Sequence, residues 1–148
     1  MTIQEYLHKI EALEREKTKI TFPENDDMEL CIQKIQQGSA QSYFMLDDLL
    51  EKTSGMILIN KNAIKQFANH LGLLFLEEQE TGNVCFANNE QMRPEFRQSF
   101  RLIDLLDYIY AFMYSSVYRD SQKIIIPSEK DFFWELAKIG LSLRKEKL

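Results

Sequence analysis

The chain has 148 residues, of which 45% are hydrophobic and 28% charged, a balance typical of globular proteins and remote from the signature of disorder. At this length one core is the default, so a single domain over 1–148 is expected. The net charge of -5 resides in the first part, because residues 1–60 carry eleven acids against six bases and residues 61–148 twelve of each; a free-standing, sequence-independent nucleic-acid binder, which needs a basic excess to neutralise phosphates, is thereby disfavoured.

Thr2-Ile3-Gln4-Glu5 reads as a capping box, and Ile3, Tyr6, Leu7, Ile10 and Leu13 then recur at helical spacing. This predicts an amphipathic helix of about four turns, with Ile3, Leu7 and Ile10 packed on the rest of the chain or on a second subunit. The polar start lacks the organisation of a signal peptide, and the uncharged run 108–118 is well short of the ~20 residues that span a bilayer. A cytoplasmic protein with no membrane segment is expected. Thr21-Phe22-Pro23 ends the first helix, and Asn25 or Asp26 can cap a second that carries Met28, Cys31, Ile32 and Ile35 and stops at Gly38. Periodicity does not assign Tyr43-Phe44-Met45-Leu46 to strand or helix. Met56-Ile57-Leu58-Ile59 reads as a strand, after which Asn60 caps a helix bearing Ile64, Phe67, Ala68 and Leu71, closed by Gly72.

Leu73-Leu74-Phe75-Leu76 and Val84-Cys85-Phe86-Ala87 flank a polar loop containing Gly82, which predicts a hairpin and a sheet of two or three strands. From Leu102 a helix follows in which Leu105, Leu106, Ile109, Phe112 and Met113 make a face that Tyr108, Tyr110 and Tyr114 widen into a belt, so this helix should be the centre of the core. Ile124-Ile125-Ile126-Pro127 reads as extended, and Ser128 with Asp131 caps a last helix bearing Phe132, Phe133, Leu136, Ile139 and Leu143. The fold class is α+β, mostly helical, with a small central sheet covered by amphipathic helices.

Little here carries chemistry. The acid pairs Asp26-Asp27, Asp47-Asp48 and Asp104/Asp107 have no EF-hand spacing and no nearby histidine, and helix starts explain them. His8 and His70 are isolated, Cys31 and Cys85 read as reduced core thiols, and no phosphate-binding glycine loop occurs. No catalytic residue, metal ligand or cofactor is predicted, and the chain is not expected to be an enzyme. Two sets of residues remain. Tyr114, Tyr118 and Trp134 exceed one helix face and, with Ile3, Leu7 and Ile10, are candidates for an interaction surface. Arg93, Arg97, Arg101, Arg119 and Lys123 interleave with Phe96, Phe100 and Tyr118, a combination that stacks bases and clamps phosphates. The competing and favoured reading of these cations is a solvated face neutralised by Glu95, Asp104 and Asp120.

Ile103-Asp104-Leu105-Leu106-Asp107-Tyr108-Ile109-Tyr110-Ala111, then Ser115, Tyr118-Arg119, Ile126-Pro127 and Phe133-Trp134-Glu135-Leu136-Ala137-Lys138-Ile139-Gly140, resembles the C-terminal end of single-polypeptide type I (type ISP) restriction-modification enzymes and related large DNA methyltransferases. In that family a D-Y-I-Y-A helix leads to a His-Ser-Pro-x-Tyr-Arg segment, an I-P stretch and a closing F-W-x-L-x-x-L-G helix. The likeness covers about residues 100–144 and, faintly, 60–75, so the chain divides into an N-terminal helical part, 1–55, of unknown relationship and a resembling part, 56–148. Tyr114 stands where the family has His, Ser116-Val117 replaces its Pro, and the link from Arg119 to Ile126 is shorter. Methyltransferase, helicase and nuclease motifs are absent from this sequence. The resemblance therefore implies a non-catalytic module of the DNA-recognition end, reaching DNA through a larger methyltransferase or restriction complex. The alternative is a homo-oligomeric or partner-binding interaction protein with no nucleic-acid contact, which the acidic pI near 5.1 favours.

Overall fold

A computed structural model describes residues 2–16, 26–39, 42–53, 55–77 and 98–147. In the first helix, α1 (Ile3–Glu16), the Thr2 half of the predicted capping box forms, with Thr2 Oγ1 accepting the Glu5 amide at 3.1 Å, and the Thr2 hydroxyl donates to Glu5 Oε1 at 3.3 Å. Its apolar stripe of Tyr6, Leu7, Ile10 and Leu13 is buried. Helix α2 (Asp26–Ser39) buries Met28, Cys31, Ile32 and Ile35 and runs one residue past Gly38; Asn25 lies outside the described residues.

The ambiguous run at 43–46 is both strand and helix, β1 (Tyr43–Phe44) followed by α3 (Leu46–Leu49), with Met45 N donating to Asp48 Oδ2 at 3.0 Å where they join. Strands β2 (Leu50–Thr53) and β3 (Met56–Ile59) form an antiparallel hairpin, and Gly55 at its turn has φ 83°, a region that suits glycine. The Gln4 side chain closes the hairpin's edge as a further strand would. Its amide donates to Ile57 O at 2.8 Å and accepts from Ile57 N at 3.2 Å, so α1 satisfies both backbone groups of Ile57.

Helix α4 (Lys61–Leu71) is capped by Asn60 Oδ1, which accepts from Asn62 N at 3.0 Å and Ala63 N at 3.4 Å, and closed by Gly72 in the left-handed region at φ 79°. Among the described residues strand β4 (Leu74–Leu76) pairs with β5 (Ser99–Arg101), in parallel, with Phe75 opposite Phe100, a partner not expected from sequence. The reason is long-range. Phe75 and Phe100 pack with ring centroids 5.4 Å apart, and Phe100 is fully buried. The segment 84–87 lies outside the described residues.

Helix α5 (Leu102–Met113), helix α6 (Ser116–Ser121), strand β6 (Ile124–Ile125) and helix α7 (Lys130–Lys147) complete the order, with β6 antiparallel to β1. Helix α7 begins past Ser128. Among the described residues there are thus three two-stranded sheets in place of one central sheet, and the fold is α+β and mostly helical.

Helix α5 is the centre of the core: every residue from Leu105 to Met113 is buried. Its most extensive partner is α7, which approaches closely because Gly140 sits against the Asp107 carbonyl, where a Cβ would overlap the oxygen. Around this contact Phe67 meets Phe100, Tyr108 and Phe133 edge-on at 5.9, 5.9 and 5.6 Å, geometries worth about 0.5–1.5 kcal/mol per pair beyond the area buried. The Tyr108 hydroxyl donates to Ile125 O at 2.5 Å, which ties α5 to β6. One hydrophobic cluster runs from Tyr6 to Leu143 and includes residues of both the N-terminal part and the part that carries the resemblance.

Candidate functional site

The cations singled out by sequence divide. Arg101 precedes α5 and is committed to it. Its amide donates to Asp104 Oδ2 at 2.8 Å and its guanidinium grips the same carboxylate at 3.2 and 3.3 Å, with only 12% of the side chain exposed. Arg119 on α6 and Lys123 just beyond it are exposed. The twelve residues of α5, about 18 Å of helix, lie between Arg101 and the α6 region. Arg93 and Arg97 lie outside the described residues. Arg119 and Lys123 are the described members that a surface ligand could reach.

The interaction-surface candidates are placed differently from the expectation. Tyr114, Tyr118 and Trp134 are buried in the chain's own core, and Leu7 and Ile10 are covered by it as well, with Ile3 half-buried at the edge. The cause is that α5 is enclosed on several sides. Tyr110 and Tyr114 share a hydroxyl contact at 3.2 Å, Tyr118 donates to the Glu14 carboxylate of α1, and Trp134 packs on Phe133 at 4.9 Å. Each of these side chains is buried within the chain, Tyr110 meets Tyr6 of α1 at 5.7 Å, and Tyr118 thereby joins α6 to α1 and meets Phe112 of α5 at 6.5 Å.

A buried polar network does the same. Asp107, 4% exposed, accepts from the Tyr6 hydroxyl at 2.7 Å and from Arg144 at 2.9 and 3.2 Å, which joins α1, α5 and α7 at one carboxylate. Burial pushes the Asp107 carboxyl above its ordinary value, against the bonds from Arg144 and Tyr6 that favour its ionised form. Cys31 is likewise a core group: burial first, and Glu135 second, push its thiol up to about 12, so it stays protonated and is no nucleophile at neutral pH.

Among the described residues a groove of about 450 Å³ lies between the end of α2, β1, α6 and β6, lined in part by Gln36, Tyr43, Asp120, Ser121 and Lys123. Antiparallel pairing sets Tyr43 opposite Ile125 at its floor. Ser115 Oγ caps α6 by accepting from Tyr118 N at 3.1 Å, and Gln122 ends the helix at φ 60°, a conformation uncommon for a residue with a Cβ. That turn leads into Lys123, whose amide donates to Ser121 Oγ at 3.2 Å and whose ammonium lies 4.4 Å from the centroid of the Tyr43 ring. Sequence reasoning singles out Lys123 and misses Tyr43, since a residue in a short apolar run carries no local signal of a partner eighty positions away.

The arrangement offers an exposed aromatic ring, a cation, an amide and a carboxylate, which is equipment for binding. Among the described residues no group of three or more His, Cys, Asp or Glu side chains is gathered that could hold a metal ion, and no helix is long and apolar enough to cross a membrane. Comparison with protein-family models, curated proteins and solved structures finds no match to this chain.

Proposed function

We propose that the chain is a non-catalytic module resembling the DNA-recognition end of restriction-modification and large DNA methyltransferase enzymes, and that it acts with a larger partner. The observation that carries this is the packing of the resembling segment. The two stretches with the strongest likeness lie in α5 and α7, which meet at Asp107 and Gly140 in the centre of the core. The matching residues Tyr108, Ile109, Tyr110, Ala111, Phe133, Trp134 and Leu136 are all buried. The likeness is therefore one of interlocking core positions, the kind that specifies a shared packing unit. It supports a common module and assigns no chemistry to it. With a net charge of -5 the chain alone attracts phosphate weakly, so useful affinity for DNA has to come from the complex.

The test is a low-salt titration with duplex and single-stranded DNA, made on the chain alone and on the chain co-expressed with any large methyltransferase encoded beside it. Binding is expected to be weak for the chain and strong for the complex. Replacing Arg119 and Lys123 by glutamine should lower the salt slope by about one for each phosphate that is no longer neutralised. Absence of binding by both at about 50 mM salt, a condition that exaggerates phosphate attraction, overturns the reading.

A second reading, an interaction protein with no nucleic-acid contact, is favoured by the leucines of β4. Leu74 is 69% exposed and Leu76 also faces outward, on a strand whose partner among the described residues is β5. Concentration-dependent self-association that Leu74→Lys abolishes, with no DNA binding by chain or complex, is the result this reading expects.

A further inference from the structure

We infer that the groove between α2, β1, α6 and β6 holds one nucleotide unit, its base on the Tyr43 ring and its phosphate on the Lys123 ammonium. This deepens the nucleic-acid reading above and rests on it for the class of ligand. The groove's volume of about 450 Å³ falls in the size range of small-molecule sites and leaves room for one base, sugar and phosphate, not for a folded segment.

Tyr43 is 47% exposed although its strand neighbours Phe44 and Ile125 pack into the core, so the ring stands at the groove partly open, with the Lys123 ammonium over it. Base–aromatic stacking uses such a ring whatever the base. Lys123 already lies within cation–π range of that ring, and its flexible stem with three ammonium donors lets it turn to a phosphate beside a stacked base without leaving the mouth of the groove. The serine protons nearby are engaged, Ser121 donating to Val117 O at 2.8 Å and Ser116 to Glu29 at 3.3 Å, so among the described lining residues the Gln36 amide can donate to a base edge and the Asp120 carboxylate can accept from it. A carboxylate only accepts hydrogen bonds, so Asp120 favours a base with an exocyclic amine, cytosine, adenine or guanine, over thymine, whose edge donates through N3–H alone. One lysine against one aspartate favours a single phosphodiester or monophosphate over a polyphosphate chain.

The experiment maps amide chemical shifts of the full chain, wild type and the variants Y43L, Y43F and K123Q, during titration with dCMP, a short oligo(dC), the matching oligo(dT) and a duplex. Expected are shifts confined to the ends of α2, β1, α6 and β6 with dCMP and oligo(dC), weaker ones with oligo(dT), a loss of affinity of at least about tenfold in Y43L, as follows when a base loses its stacking aromatic, and retention in Y43F, which keeps the ring and checks that the fold tolerates the site. Equal affinity for dCMP and oligo(dC) identifies a free nucleotide as the ligand, and tighter binding of the oligonucleotide identifies a strand. No shifts in the groove at millimolar dCMP or oligo(dC), or affinity unchanged in Y43L, overturns the inference. DNA binding that persists undiminished in Y43L and K123Q overturns the groove while leaving the module reading in place, whereas dCMP in the groove with no DNA binding by chain or complex does the reverse.

Discussion

Gly140 of α7 lies against the main-chain carbonyl of Asp107 in α5, so closely that a side chain of any size would overlap it. The contact is backbone to backbone, and neither helix can yield without moving the aromatic cluster that packs beside it. Gly140→Ala should therefore destabilise the protein, although alanine gains about 1 kcal/mol of helix propensity over glycine. Overpacking a rigid site costs about 1–3 kcal/mol and more where backbone is the obstacle, so a net loss of about 1–3 kcal/mol is expected in urea unfolding. A variant as stable as wild type would show that α5 and α7 separate more easily than their packing implies.

Asp107 also carries the polar link among α1, α5 and α7. Tyr6→Phe removes a 2.7 Å bond to a charged acceptor and is expected to cost about 1.5–3 kcal/mol. Asp107→Ala strips Arg144 and Tyr6 of their shared partner. Removing one member of a buried pair costs about 3–5 kcal/mol, and because the Arg144 side chain is 23% exposed and can turn to water, about 2–4 kcal/mol is expected. The two changes should combine to less than their sum, since both act through one carboxylate. A double-mutant cycle measured by chemical unfolding checks this, and strict additivity would dissociate Tyr6 from the network.

Much of this frame is legible in the sequence and some is not, for identifiable reasons. The start of α1, the Asn60 cap, the Gly72 stop and the belt of α5 are written in residues within a turn or two of each other, and each stands where the pattern puts it. The parallel pairing of β4 with β5 depends on Phe75 meeting Phe100, and the groove depends on the register of β1 with β6; neither has a local signature. Sequence reasoning sets Tyr114, Tyr118 and Trp134 on a surface because an aromatic count beyond one helix face reads as an interface, whereas α5 packs at once on Tyr6 of α1, Tyr118 of α6 and Phe133 of α7. Arg101 has the sequence surroundings of a phosphate ligand and serves instead to start α5 with Asp104.

Four tyrosines give the protein a distinct alkaline limit. Burial is the main cause that raises the hydroxyls of Tyr6, Tyr108, Tyr110 and Tyr118 above their ordinary value, reinforced by Asp107 at Tyr6, Tyr114 at Tyr110 and Glu14 at Tyr118. The folded values lie above the unfolded value of about 10, so their stabilising contribution is complete below pH 10 and is lost as the pH rises beyond it and the unfolded chain releases these protons. Each such group steepens the loss by about 1.4 kcal/mol per pH unit. Urea midpoints should hold steady from neutral pH to about 9 and then fall sharply, and phenolate absorbance should show these tyrosines ionising together with unfolding. Their gradual titration in a protein that stays folded would contradict the burial on which the prediction rests.

The N-terminal helix offers the last prediction. Helix α1 supplies Tyr6, Leu7, Ile10 and Leu13 to the core, closes the edge of β3 through Gln4, anchors Tyr118 through Glu14 and bonds Lys52 through Glu11 at 3.0 Å. The surface Lys52 pair contributes little, but the apolar stripe and the buried bonds are inseparable from α5. Removing residues 2–16 should uncover the Tyr110 and Leu106 side of α5 together with the Ile57 backbone, leaving an apolar face and an open strand edge, both of which promote association. Leu7→Ala and Ile10→Ala, milder changes at fully buried positions, should each cost about 2–5 kcal/mol without altering the rest of the surface. The truncated chain is expected to aggregate or to bind a hydrophobic dye, and the point variants to lower the unfolding midpoint while remaining monomeric. A truncation that stays monomeric with an unchanged midpoint would show that α1 is an appendage and that the core closes without it.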